Sequence, residues 1–168
     1  MAISPDSAFE FWGEHSVAAD DRGRVLVPTE YREKLPKKFV LTRGPDKAIF
    51  LYPLDVWQQI EEQLKLQVLH RQAGILQRIL GARTFVEVDS SWRINIPSPL
   101  QEYAGIKEKS SVTIVGQGSK IEIWASEEWR KFTATFDYDL LLNNAEDIGM
   151  AEYVERRPRV AEPRVAVA

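Results

Sequence analysis

Two stretches of this sequence set a carboxylate and an arginine at the same spacing, Asp20-Asp21-Arg22-Gly23-Arg24 and Asp89-Ser90-Ser91-Trp92-Arg93. In the first, the Asp20 carboxylate can cap the backbone of a tight turn while Gly23 takes a backbone shape closed to most residues. Arg22 and Arg24 are then presented where a loop meets a strand. Planar guanidinium forks on a rigid element suit phosphate and guanine, because each fork can bind two acceptors at once. The same residues also fit an ordinary charged hairpin in which Asp20 and Arg24 pair at the surface, an arrangement worth little energetically. Duplication moves the balance toward function only modestly, since a structural turn would be duplicated too.

The second copy differs in two residues that matter. Trp92 stands at the Gly23 position, where a bulky side chain meets a steric cost at positive φ, so this loop is expected to take another conformation or to store strain. Ser91 replaces the basic Arg22, which makes the second loop the poorer reader of DNA although Arg93 remains. Trp92 has two uses open to it, packing between subunits or burial against its own chain. His15 and His70 are the only histidines and lie far apart, so no metal site is expected. His15 and its neighbour Ser16 precede the first loop and are candidates to approach DNA. Adjacent side chains do not make a catalytic triad, and Gly116-x-Gly118 lacks the third glycine and the following helix of a phosphate cradle. Acidic pairs such as Asp20-Asp21 and Glu127-Glu128 read as turn and helix-start residues. Of five tryptophans, Trp57, Trp124 and Trp129 hold repeat-consistent places that favour core or subunit contact, and Trp12 and Trp92 stay open.

The elements that position these loops are themselves repeated. Val25-Leu26-Val27-Pro28 matches Ile94-Asn95-Ile96-Pro97, two β-branched runs that read as strands, each stopped by a proline able to open a helix. A brief helix follows in each half, the second ended by Gly105 in a left-handed cap. Next come two hairpins, turning at Gly44-Pro45-Asp46 and at Gly116-Gln117-Gly118-Ser119. A longer helix closes each half: Trp57, Ile60 and Leu64 share a face in the first. In the second, Ser126 is the expected N-cap and Trp129, Phe132 and Phe136 the apolar stripe. Leu69, Ala73, Leu76 and Leu80 recur at helical spacing, so the connection between halves is read as a helix stopped by Gly81.

This gives an N-terminal extension over 1–12, a first repeat over 13–67, a connecting helix over 68–81, a second repeat over 82–142 and a helix end with a mobile tail over 143–168. Strands too short to stand alone imply that the halves complete one shared core. The fold class is α+β.

The chain has 168 residues, enough to bury a core without staples, and no cysteine, which excludes a disulfide scaffold and thiolate chemistry. No apolar run approaches a membrane span and Met1 to Trp12 does not read as a signal peptide, so a cytosolic protein is the default. The formal net charge of −3 argues mildly against coating nucleic acid through bulk positive charge. A DNA-binding chain of this kind must gather its basic residues on one face, with oligomerisation supplying repeated contacts.

Several segments in order resemble the MraZ family. They are Gly13-Glu14-His15-Ser16, Asp20 to Pro28, Leu41-Thr42-Arg43-Gly44, Tyr52-Pro53 with Trp57, Arg93 to Pro97, Glu102-Tyr103-Ala104-Gly105 and Ile121-Glu122-Ile123-Trp124, spanning about residues 13 to 142. The resemblance implies two tandem AbrB/SpoVT-like swapped-hairpin halves forming a small β-barrel core with flanking helices, assembled into a ring of subunits. It implies a sequence-specific transcriptional regulator of the division and cell-wall gene cluster, acting in the cytoplasm at the nucleoid on direct repeats in double-stranded DNA upstream of its own operon. The family's Asp-x-x-x-Arg motif maps onto Asp20 with Arg24 and onto Asp89 with Arg93. By that match Arg24 leads the DNA contacts, with Arg22, His15, Ser16 and Arg93 behind it, while Asp20, Gly23 and Asp89 shape the loops. No cofactor, small-molecule substrate, membrane or enzymatic activity is implied. The chain departs from the family pattern at Trp92, at Gln101 where an arginine is common, at Pro45 and at both extended ends.

A competing reading is an oligomeric protein-interaction scaffold with weak or absent DNA binding, which the acidic balance, the altered second motif and the aromatic residues support. A hydrolase using paired carboxylates has no supporting constellation.

Overall fold

The computed structural model describes residues 10–67 and 73–150. The first half runs β1 (Glu14–Ala18), β2 (Arg24–Leu26), α1 (Thr29–Arg32), β3 (Lys38–Arg43), β4 (Ile49–Pro53) and α2 (Leu54–Leu66). After α3 (Ala73–Gly81) the same order returns as β5 (Thr84–Glu87), β6 (Arg93–Asn95), α4 (Ser98–Ala104), β7 (Ser111–Gly116), β8 (Ile121–Ala125) and α5 (Ser126–Thr133), and α6 (Tyr138–Asp147) follows. Leu69 and His70 of the expected connecting helix lie outside the described residues, as do the arginines of the C-terminal segment. The residues group into two compact units, one ending at Arg130 and one beginning at Lys131.

Local chemistry explains the boundaries. Pro28 and Pro97 sit at the N-caps of α1 and α4 with φ of −53° and −57°, the value their rings impose, and neither has an N–H to lose. Gly105 closes α4 at φ 69°, and the next N–H, of Ile106, donates to Gln101 O at 2.9 Å. Both expected hairpins form, the first turning through Pro45–Lys47 with Asp46 and Lys47 in the left-handed region at φ 55° and 69°.

The strands make a six-stranded antiparallel sheet in the order β1-β7-β8-β4-β3-β5, and a separate two-stranded ribbon, β2-β6. The first strand of each half leaves home: β1 pairs with β7, setting Val17 opposite Val112, and β5 pairs with β3, setting Val86 opposite Phe39. The two hairpins meet at β4 and β8, Ile49 opposite Ile123, and the ribbon joins the halves again at Val25 opposite Ile94. Side chains alternate across the sheet. One face buries Phe39, Leu41, Ile49, Leu51, Ile114 and Ile123 beneath the ribbon and the short helices, with Val25, Ile94, Tyr31 and Leu100 completing the core. On the other face Val40 and Tyr52 pack with Val56 and Trp57 of α2.

Trp57 and Trp124 are buried and their indole N–H groups donate to Glu61 (2.7 Å) and Glu122 (3.0 Å), while Trp129 lies with its ring 5.4 Å from that of Trp124. Trp12 is exposed. The apolar stripe expected on α5 needs correction. The helix ends at Thr133, so Phe136 lies beyond it, with its ring edge-on to Phe132 at 4.8 Å. In the second unit, Asp137 caps α6 by accepting from Leu140 N–H at 2.7 Å. Among the described residues no helix is long and apolar enough to cross a membrane.

Ile123 is fully buried between Ile49 and Ile114 at the junction of the hairpins. Ile123→Ala is expected to cost about 2–5 kcal/mol, the range for emptying a packed core position, read as a lowered urea midpoint at unchanged slope. A midpoint equal to that of the unmodified protein would contradict this placement of the core.

Candidate nucleic-acid interface

The Asp20 carboxylate organises the first loop from inside. Its Oδ1 accepts from the backbone N–H groups of Arg22 and Arg24, both at 2.9 Å, and its Oδ2 accepts from Arg24 Nε at 2.7 Å. The backbone closes around it, with Gly23 N–H donating to Asp20 O at 3.1 Å and Asp20 N–H to Arg24 O at 2.9 Å. Asp89 repeats the pattern: Oδ1 accepts from Ser91 N–H (2.8 Å) and Arg93 N–H (2.9 Å), and Oδ2 from Arg93 Nε (3.0 Å). Trp92 takes φ 59° where Gly23 takes 72°, so the second loop keeps the conformation of the first rather than finding another. Trp92 is half-buried against the core of its own chain.

Each short helix reaches across to the other half's loop. Arg32 Nε donates to Val27 O at 3.0 Å and its guanidinium lies 5.9 Å from the centre of the Trp92 ring. Gln101 Nε2 donates to Ile96 O at 2.6 Å, and a Cβ added at Gly23 would come within 2.1 Å of that nitrogen. Gln101 thus makes the equivalent carbonyl contact from the second half, and Gly23 is favoured by its φ, while a side chain there would have to displace the Gln101 carboxamide.

The ribbon sets the loops side by side. Val25 and Ile94 point into the core, so alternation sends Arg24, Leu26, Arg93 and Asn95 outward, in a register that pairs Arg24 with Asn95 and Leu26 with Arg93. Arg24 Nη1 comes within 3.9 Å of Asp89 Oδ2, linking the two motifs. The surface ion pair Asp20–Arg24 is therefore present through Nε, and Arg24 Nη1 also faces Asp89, while among the described residues the terminal nitrogens of Arg93 make no hydrogen bond or ion pair. Arg22 is exposed and makes no side-chain hydrogen bond or ion pair among the described residues.

His15 and Ser16 are placed apart from this cluster. They lie on β1, and five residue steps of extended chain, roughly 16 Å, carry His15 away from Asp20. His15 Nε2 sits 2.9 Å from Glu30 Oε2 without hydrogen-bond geometry, and its ring meets Tyr31 edge-on at 5.0 Å. Ser16 is exposed, with its hydroxyl 3.5 Å from Ser111 Oγ. Leu26 and Asn95 share the outward face of the ribbon, a placement the sequence reading did not single out although alternation along Arg-Val-Leu and Arg-Ile-Asn carried the signal. Among the described residues no group of three or more His, Cys, Asp or Glu side chains could hold a metal.

The N–H donors hold both loop carboxylates in the ionised form. The Arg24 backbone N–H, foremost, brings Asp20 down to about 2, and Asp89 is lowered by the equivalent bond from Arg93. A depressed carboxylate value stabilises the folded state above its unfolded value, about 3.9, and that contribution disappears as the pH falls through about 2. Carbon NMR of the Asp20 carboxyl should titrate near 2, with the Arg22 and Arg24 amides following; titration near 4 would show the loop held in some other way. At Gly23 we expect Gly23→Ala to cost about 1–3 kcal/mol, combining left-handed strain with displacement of Gln101. Gln101→Ala should then cost less in that background than alone, and strict additivity in the double-mutant cycle would refute the contact.

The model of a family described as "MraZ protein, putative antitoxin-like" matches the chain twice, over residues 11–78 and 79–148. A protein of Alkaliphilus metalliredigens (strain QYMF) named Transcriptional regulator MraZ is 34% identical over 144 residues, covering 83% of this chain and 99% of that protein. Another of the same name, from Alkaliphilus oremlandii (strain OhILAs), is 36% identical over 144 residues with the same coverage. With both repeats matched and relatives aligned along nearly their full length, this chain belongs to the MraZ family.

Proposed function

We propose that this protein is a sequence-specific transcriptional regulator that grips duplex DNA through the outward face of the β2-β6 ribbon and its flanking loops. The observation that carries the reading is the carboxylate clamp, which fixes the main chain and Nε of Arg24 and Arg93, with Arg24 Nη2 and both terminal nitrogens of Arg93 unpaired among the described residues. Guanidinium groups held on a rigid element lose little freedom when they meet phosphate or a guanine edge. The names of the relatives point to transcription control rather than to catalysis. Arg24 leads, Arg22 and Arg93 add phosphate contacts, and His15 and Ser16 serve as outlying contacts along β1.

In this reading the halves are AbrB/SpoVT-like modules over 13–67 and 82–142, joined through 68–81, and the exchange of β1 and β5 supports a swapped-hairpin, barrel-like core. The chain works as a ring, in the cytoplasm at the nucleoid, on direct repeats upstream of its own division and cell-wall operon. Exposed Ile75, Leu76 and Ile79 on α3 supply apolar surface for subunit contact. The same surface favours the second reading, an interaction scaffold with weak DNA affinity.

Electrophoretic retardation and anisotropy with upstream and shuffled duplexes separate the two. Arg24→Ala should abolish retardation of the upstream duplex while the oligomer keeps its mass, and Arg22→Ala should weaken binding to both duplexes. The unmodified protein should lose affinity with salt at a slope near −0.9 per phosphate neutralised. Unchanged binding by Arg24→Ala would reject the assigned loop, and equal weak binding to both duplexes would favour the scaffold.

A further inference from the structure

The ribbon is nearly symmetric and departs from symmetry where bases could be read. A pseudo-twofold axis through the Val25–Ile94 pair exchanges Arg24 with Arg93 and Leu26 with Asn95. The two arginines match, each clamped through Nε by its own aspartate. The other two outward residues do not: one is a leucine, 43% exposed with nothing apolar required of it at that surface, and its counterpart is an exposed carboxamide. Neither belongs to the loop motif, and neither side chain makes a hydrogen bond among the described residues.

We infer that Leu26 and Asn95 are specificity-determining residues that make this ribbon read a duplex in one direction. The inference rests on the proposal that the ribbon meets DNA. A two-stranded ribbon fits the major groove, where adenine offers an acceptor and a donor side by side and thymine offers a methyl group. The Asn95 carboxamide matches the adenine pair of groups in a bidentate contact. The Leu26 methyls match the thymine methyl and have no means of satisfying an adenine edge. The equivalent arginines contact both half-sites alike, so the arginines supply affinity and register while the unlike pair supplies polarity. At the base pairs beneath these two residues the chain thereby selects adenine under residue 95 and thymine under residue 26, beside the asymmetry of Arg22 and Ser91 in the loops.

The test is selection of full-length protein on a randomised duplex pool, followed by sequencing, for the unmodified chain, Leu26→Asn and Asn95→Leu. Both side chains are exposed, so unfolding midpoints should stay at the unmodified value. The unmodified chain should enrich an asymmetric site. Leu26→Asn should enrich adenine at both dyad-related positions and Asn95→Leu thymine at both, so each variant makes that base pair self-complementary. Asn95→Leu should also lose roughly 5- to 150-fold in affinity for the original site, the equivalent of one good bidentate contact. A self-complementary site for the unmodified chain, or one consensus shared by all three proteins, would overturn the inference while leaving DNA binding in place. Failure of the unmodified protein to enrich any sequence would overturn the DNA-binding reading itself, and this inference with it.

Discussion

The structure depends on each half being unable to finish itself. β2 and β6 have three residues apiece, too few to hold as isolated strands, and each finds its partner in the other half's copy. Val25 and Ile94, opposite one another and buried, seal that ladder onto the larger sheet, and the Val27 N–H extends it to Trp92 O at 2.8 Å. The exchange of β1 and β5 onto the opposite hairpins imposes the same condition at both sheet edges. Because the pairing is reciprocal, the two loops cannot drift apart without unzipping the core, and a clamp made separately in each half becomes one surface.

That geometry gathers arginines of an acidic chain at one ribbon. The net charge of −3 is a property of the whole molecule, whereas the field at the ribbon is set by what the register gathers there. Arg24 and Arg93 stand on its outward side, Arg22 is exposed in the first loop, and the Lys109 N–H touches Asp20 O at 3.4 Å, bringing another basic residue to that loop. Each aspartate stays ionised and balances the arginine it clamps, so the pairs fix guanidinium positions rather than add net charge, and the exposed Arg22 is, among the described residues, the unpaired cation of the first motif.

Much of this arrangement was legible in the residues because it is local. The prolines that stop β2 and β6, Gly105 at the end of α4, the hairpin turns and the aspartate spacing are each decided within a few positions. What could not be read was anything decided by pairing between distant segments. Nothing local tells β1 to lie on β7, or Gln101 to fill the space over Gly23, and the outward company of Leu26 and Asn95 exists only once the register is known. Phe136 fits a helical period with Trp129 and Phe132, but the chain leaves the helix at Thr133 first, a boundary that periodicity does not mark. His15 looked close to the loop because five residues are few in sequence, and an extended strand turns those five into distance.

Trp92 decides which interaction shapes the motif. A non-glycine residue in the left-handed region costs about 1–2 kcal/mol, so a loop governed by its glycine should change when the glycine is lost. It does not: the carboxylate bonds persist, and the largest difference is at the arginine Nε, 2.7 Å in the first loop and 3.0 Å in the second. The aspartate therefore sets the loop, and the residue at the fourth position only has to endure it. Trp92 offsets its strain by packing on the core and lying beneath Arg32. Gly23 answers to a different neighbour, because Gln101 occupies the space a side chain would take. The two loops thus share one backbone and differ in their cover, which presents Arg22 at one end of the ribbon and Ser91 at the other, a second asymmetry imposed on a duplicated frame.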